Sequence, residues 1–219
     1  MDRVRRSPRP VGGRVADHGA PATRPDGYVR RSSSRPRRGA RVTASMVDAF
    51  RQEARAAAST VHEVATLDEA VRLVATLADG GAVAVAGRLA DDEVADALRA
   101  HGVCLVVPDD AGDPAEQVAD VAVGVVRGEL AVAETGSVLV SEHALADRVV
   151  SMLCRRLVQV VPRERLVPRL EEAAEWLADR AGAPGFASLM TGPSRSADIE
   201  RSLTIGVQGP DEVDVVVVG

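Results

Sequence analysis

The chain has 219 residues, of which 46% are apolar and only 2% aromatic, with two cysteines and a formal charge of −5. That length suits one sizeable domain or two small ones, and the scarcity of aromatic residues leaves a core of Val, Leu, Ile and Ala, which favours short buried strands flanked by Ala-rich helices. No uncharged apolar run approaches the ~18 residues of a membrane span, so a soluble cytoplasmic protein is expected.

Cys104 and Cys154, both in apolar surroundings, lack the paired spacing of a zinc or iron–sulfur site and read as buried free thiols. The charge is unevenly divided: residues 1–41 hold 12 Arg against three Asp, a balance of +9, whereas 42–219 have a balance of −14. The first segment mixes Arg, Pro, Gly and Ser without periodicity and is too polar to bury a core. Residues 1–45 therefore read as a disordered Arg/Pro-rich extension ahead of one domain over 46–219. A nucleic-acid-binding arm, a targeting peptide and an extension from a misassigned start codon, with Met46 as the true first residue, are its three readings. The acidic body would repel phosphates and argues against nucleic acid.

Past the extension, Val47, Phe50, Ala54 and Ala57 have helical spacing, and 61–64 (VHEV) reads as a strand. Thr66 caps a helix over 67–81, with Asp68 and Glu69 in its first turn and Gly80 and Gly81 at its end. A buried strand at 82–86, a helix at 90–100 opened by Asp91, Asp92 and Glu93, and a strand at 103–107 closed by Pro108 follow. This alternation predicts a mostly parallel sheet covered on both faces. Three short strands at 120–126, 130–133 and 137–140 come next, too close for intervening helices, which implies hairpin pairing or an inserted strand. A strand at 158–161, a helix over 163–180 with Pro168 near its first turn, a strand at 186–190, a short helix at 197–203 and a strand at 213–218 complete an α/β fold with a modified Rossmann-like sheet.

Three segments interrupt apolar strands with small and polar residues, which is where α/β sheets place ligands. In 133–137 (AETGS), Glu134 offers an acid, base or nucleophile, Thr135 and Ser137 offer hydroxyls, and Gly136 allows close backbone approach; the alternative is a plain turn with Glu134 exposed. In 191–200 (TGPSRSADIE), Thr191, Gly192 and Pro193 lead to Ser194 or Ser196 as helix cap. The freed amides at that helix start and Arg195 suit a phosphate or carboxylate, while Asp198 and Glu200 pair with Arg195 or position a hydroxyl. The alternative is a capped helix with a local ion pair. In 206–210 (GVQGP), Gly206 and Gly209 bound a loop that either closes over a ligand or is a simple turn. His62, His101 and His143 have no metal-like spacing and are assigned to solvated surface, His18 lies in the extension, and Arg155 and Arg156 face a ligand, a partner or water.

AETGS, VVPRERLVPRL at 160–170, TGPSRSADIE and GVQGP, in this order and near these separations, together resemble the LUD-domain family of lactate-utilization C subunits, strongly over 120–219 and loosely over 46–119. The resemblance implies a three-layer fold similar to the ribose-5-phosphate isomerase, coenzyme A transferase and methenyltetrahydrofolate synthetase group. It also implies participation in oxidising L-lactate to pyruvate, with iron–sulfur clusters carried by partner subunits and no cofactor in this chain. GVVRGEL at 124–130 and SMLCRRL at 151–157 depart from the family pattern.

Overall fold

Valine-rich runs with both faces buried form the middle of a sheet in the computed structural model, which describes residues 41–87, 89–90, 92–180, 185–196, 204–205 and 209–219, with backbone only at 195–196 and 204–205. In chain order the strands are β1 (Thr60–Val64), β2 (Val83–Val85), β3 (Leu105–Val106), β4 (Val123–Val132), β5 (Ser137–Glu142), β6 (Arg156–Pro162), β7 (Leu166–Val167), β8 (Phe186–Met190), β9 (Arg195–Ser196), β10 (Thr204–Ile205) and β11 (Glu212–Val218). The helices are α1 (Ala44–Ala56), α2 (Leu67–Ala78), α3 (Glu93–Ala100), α4 (Pro114–Val118), α5 (Leu145–Leu153) and α6 (Leu170–Ala178).

The strands β1-β11-β6-β4-β2-β3 lie in that order and are all parallel. Alternate residues of each buried strand feed opposite faces, as a pleated strand requires. Val83, Val85, Val158, Val160 and Val216 pack under α2 and α3, whereas Val126, Leu157, Val161, Val215 and Val217 pack under α1, α4 and α5. Thr66 caps α2 by accepting from Glu69 N–H at 3.2 Å, and the helix ends on left-handed Asp79, one residue ahead of the expected Gly80–Gly81 stop. α1 starts at Ala44, capped by Thr43 accepting from Met46 N–H at 3.3 Å, and Val42 and Met46 pack against the core, so this helix begins ahead of Met46.

Four expectations are corrected. The predicted strands at 120–126 and 130–133 are one ten-residue strand, β4, whose first half is parallel to β6 and whose second half pairs antiparallel with β5. The polar break at 127–129 is a register shift between Gly128 and Leu130; Gly128 stands there because a Cβ would collide with Val161 and Val138. The helix predicted over 163–180 splits into a 3-10 turn at Arg163–Arg165, β7 paired parallel with β4, and α6. Pro168 disfavours helical backbone at Val167, and Val167 and Pro168 give their carbonyls to Ala133 and Glu134 N–H at 2.8 and 3.1 Å. Cys104 is exposed, because it precedes the short edge strand β3; Cys154 is buried as expected, and burial pushes its thiol up to about 11. His62 is half-buried, its Nε2 2.7 Å from the carboxylate of buried Asp214, which also accepts from Arg156 at 3.1 Å. The sequence reading also omitted α4 and α5.

Glu142 at the end of β5 is buried, hydrogen-bonded through Oε1 to the Ser151 hydroxyl of α5, while Oε2 has no partner among the described residues. Burial pushes its carboxyl above the usual carboxylate range, against the opposing effect of the Ser151 hydrogen bond. The folded state therefore binds more protons at this position than the unfolded state, and the stability it contributes is full below the ordinary carboxylate pKa and is lost as pH rises through the folded value. Glu142→Gln is expected to remove that loss, so the melting temperature of the variant minus that of the parent rises with pH across this window; a difference that stays constant with pH would show that the carboxyl ionises normally. A second expectation concerns α1, whose backbone at Glu53–Ala54 lies where a Cβ on left-handed Gly136 (φ 65°) would stand. Gly136→Ala should lower stability by more than about 2 kcal/mol in chemical denaturation, combining backbone strain with displacement of the helix.

Candidate functional site

Residues 133–137 form the turn joining β4 to β5, closed by Gly136 N–H donating to Val132 carbonyl at 2.9 Å. Glu134 is exposed, and its Oε2 accepts Leu170 N–H at 3.0 Å. That carboxylate thus sits over the first turn of α6, where the free amides and the helix dipole favour a negative charge. Thr135 Oγ1 is buried and has no partner among the described residues. Ser137 is buried and its hydroxyl lies 2.6 Å from that of Thr191.

This hydroxyl pair ties the first segment to the second, because β5 and β8 run antiparallel with Val138 opposite Met190 and so bring Ser137 and Thr191 side by side. Gly192 then adopts φ 76° with Ala57, at the C-terminal end of α1, where its Cβ would be. Pro193 is buried, and half-buried Ser194 donates its N–H to Pro210 carbonyl at 3.1 Å. A Cβ on Gly209 would come within 3.0 Å of Ser194 Cβ. Ser194 thereby ties the second segment to the third, while the first two segments meet at the C-terminal end of α1.

The anion site expected at a helix start has a different backbone. Arg195 and Ser196 form β9, antiparallel to β10, so Ser196 occupies a strand position instead of a helix cap. The helix expected at 197–203, with Asp198 and Glu200, and Gly206 lie outside the described residues.

A second group of polar residues was missed by the sequence reading. The connections from neighbouring strands β2 and β4 diverge, one through α3 on one face of the sheet and the other through β5 to α5 on the opposite face. Such divergence opens a crevice at the strands' carboxyl ends. Arg127 on β4 there pairs with Asp92, the N-cap of α3. Buried Asp147 accepts from Gly87 N–H at 2.7 Å and from His143 and Ala144 N–H at 3.1 and 3.2 Å, fixing the loop after β2 to the start of α5. Gln159, buried in the middle of β6, directs Nε2 to the Met190 sulfur at 3.3 Å, just ahead of Thr191. Each of these contacts joins residues far apart in the chain, although a Gly directly after an apolar strand at 87 was a usable signal. Among the described residues, no group of three or more His, Cys, Asp or Glu is placed to hold a metal, and no helix is long and apolar enough to cross a membrane.

The fold is similar to that in the crystal structure of a DUF162 family protein from Deinococcus radiodurans, with a TM-score of 0.61 over 80% of this chain and 98% of that one at 16% identity. In sequence it is similar to proteins named lactate utilization protein C. It is 34% identical over 110 residues to that of Geobacillus thermodenitrificans, covering 48% of this chain and 45% of that one. It is 37% identical over 113 residues to that of Bacillus licheniformis, covering 49% and 47%. The aligned part thus spans a little under half the length of these curated relatives. The LUD domain model matches residues 47–218, and with this match running from α1 to β11 through all three segments, the chain belongs to the LUD-domain family.

Proposed function

We propose that the protein acts in L-lactate utilization as an accessory subunit in the oxidation of L-lactate to pyruvate, working with iron–sulfur partner subunits. The observation that carries this reading is the LUD-domain match over 47–218, joined to relatives named lactate utilization protein C. Two cysteines, one exposed and the other buried with a raised thiol pKa, are too few for the four thiolates of a cluster. The reading accordingly assigns electron transfer to the partners and to this chain a ligand- or partner-holding role. The parallel sheet with helices on both faces is compatible with the ribose-5-phosphate isomerase and coenzyme A transferase group, which belongs to the same proposal. Deleting the gene is expected to abolish growth on L-lactate, with growth restored by the full chain; unimpaired growth of the deletion strain rejects the role.

The meeting of two segments at the C-terminal end of α1, with the third joined to them through Ser194, favours a second reading, a stand-alone enzyme acting on an anionic phosphate, carboxylate or coenzyme A substrate. Thr135, Gly136, Ser137, Thr191, Gly192, Pro193, Ser194 and Gly209 would line its site, with Arg195, Asp198, Glu200 and Gly206 completing it and Glu134 as acid, base or nucleophile. The α6 contact gives Glu134 a structural task as well, and the two tasks separate by substitution. Glu134→Ala should cost about 1 kcal/mol through the lost helix-terminus hydrogen bond. Glu134→Gln retains an acceptor oxygen and should keep most of that stability. Under the catalytic reading Glu134→Gln also abolishes turnover of a substrate identified by thermal shift with L-lactate, pyruvate, sugar phosphates, coenzyme A or ATP; an unchanged rate leaves only the capping task.

A further inference from the structure

The outer face of α5 departs from the usual polar dress of a surface helix. Leu145, Met152 and Leu153 are 53%, 52% and 54% exposed, although a nine-residue helix could have placed polar residues at all three. Leu145, Arg148 and Met152 follow one another at i, i+3 and i+7, so they line one side of the helix. The Arg148 guanidinium lies 5.2 Å from the ring centroid of Phe186 on β8, itself 46% exposed, which joins the strand to the helix face as one patch. An Arg against an aromatic ring, with exposed Met and Leu side chains on the same helix, has the composition of an interface centre.

Arg148 has an unmet requirement. It makes no ion pair among the described residues, and its Nε is buried without a hydrogen-bond partner. Glu142 acts on it only through space, its Oε1 being taken by the Ser151 hydroxyl and its Oε2 having no hydrogen-bond partner among the described residues. A partly buried guanidinium over an aromatic ring, with no paired carboxylate among the described residues, is complemented by one from outside.

We propose that α5 and Phe186 form a docking surface for a partner protein that presents a carboxylate within an apolar patch, the carboxylate meeting Arg148 and the apolar ring covering Leu145, Met152, Leu153 and Phe186. Charge decides against the other occupants. A second copy docked by a twofold axis through the patch would set Arg148 against its own equivalent. The Arg-rich segment 1–41, at +9, brings the same sign, and the body at −14 is repelled by anionic lipid. The surface rests on the accessory-subunit reading, whose partners would be the proteins that dock here.

The test is titration calorimetry of the full chain against the purified iron–sulfur lactate-utilization subunits of the same organism. Wild type should bind one of them, and Arg148→Glu and Met152→Asp should each weaken binding at least tenfold, while Arg72→Ala on the exposed side of α2 leaves it within twofold. Met152→Asp changes a side chain half in water, so it remains informative should Arg148→Glu fail to fold. Affinity unchanged in the patch variants overturns the surface, as does absence of wild-type binding to any of these subunits. Self-association, or binding to phosphatidylglycerol vesicles, that is lost in both patch variants also overturns it by naming a different occupant. Normal growth of the deletion strain on L-lactate defeats the accessory reading itself, whereas a growth defect with binding indifferent to the patch variants defeats the surface alone.

Discussion

Strand β4 has to satisfy strand partners of both directions along its ten residues, with β2, β6 and β7 parallel to it and β5 antiparallel. From Val123 to Arg127 it lies parallel to β6, and from Gly128 onwards it pairs antiparallel with β5. A straight strand would carry one register throughout; the shift between Gly128 and Leu130 lets the second half turn away from the parallel sheet. That turn needs a residue without a side chain, since Val161 and Val138 close in where a Cβ would be. Everything that distinguishes this chain from a plain parallel α/β sheet follows from that point: the β5–β8 extension, the β7 pairing and the placement of α6 over Leu130, Val132 and Leu139.

Helix α1 ties the extension back to the core. Phe50 and Ala54 are fully buried under the sheet, while the last turn of the helix meets Gly136 from one segment and Gly192 from another. Two glycines in left-handed backbone on separate loops thus approach the same helix end, and the Ser137–Thr191 hydroxyl pair closes the gap between them. Glycine serves here by admitting the backbone of the chain itself, which is a packing reason for small residues in segments that also have the look of ligand loops.

Polar groups buried at the strand ends divide into satisfied and unsatisfied ones, and the division separates framework from surface chemistry. Asp147 accepts three backbone N–H groups and Asp214 is met by both Arg156 and His62, so both are fixed parts of the framework. Glu142 keeps one oxygen unpaired, and Arg148 above it keeps a buried nitrogen unpaired. The two side chains do not hydrogen-bond to each other, and the Arg148 guanidinium lies over the Phe186 ring beside exposed apolar side chains of α5.

The sequence by itself determined the elements whose signals are local. The Thr66 cap, the helical spacing of Val47, Phe50 and Ala54, and the valine runs of β2, β6 and β11 each depend on residues within a few positions, and the elements appear where those signals put them. The four motif segments also carried the family likeness. Tertiary structure alone decided the rest, because the deciding contacts join residues far apart in the chain. Gly128 reads locally as a break and is a strand residue because Val138 and Val161 crowd it; Leu166 and Val167 read as helix and become β7 because Ala131 and Val132 pair with them. Glu134 looks like a free acid until Leu170 is folded against it, and Cys104 looks buried until its strand is seen at the sheet edge. Periodicity measures which face of an element is apolar, whereas strand order, and with it the meeting of the first two segments at the end of α1, is fixed by pairings that no local window contains.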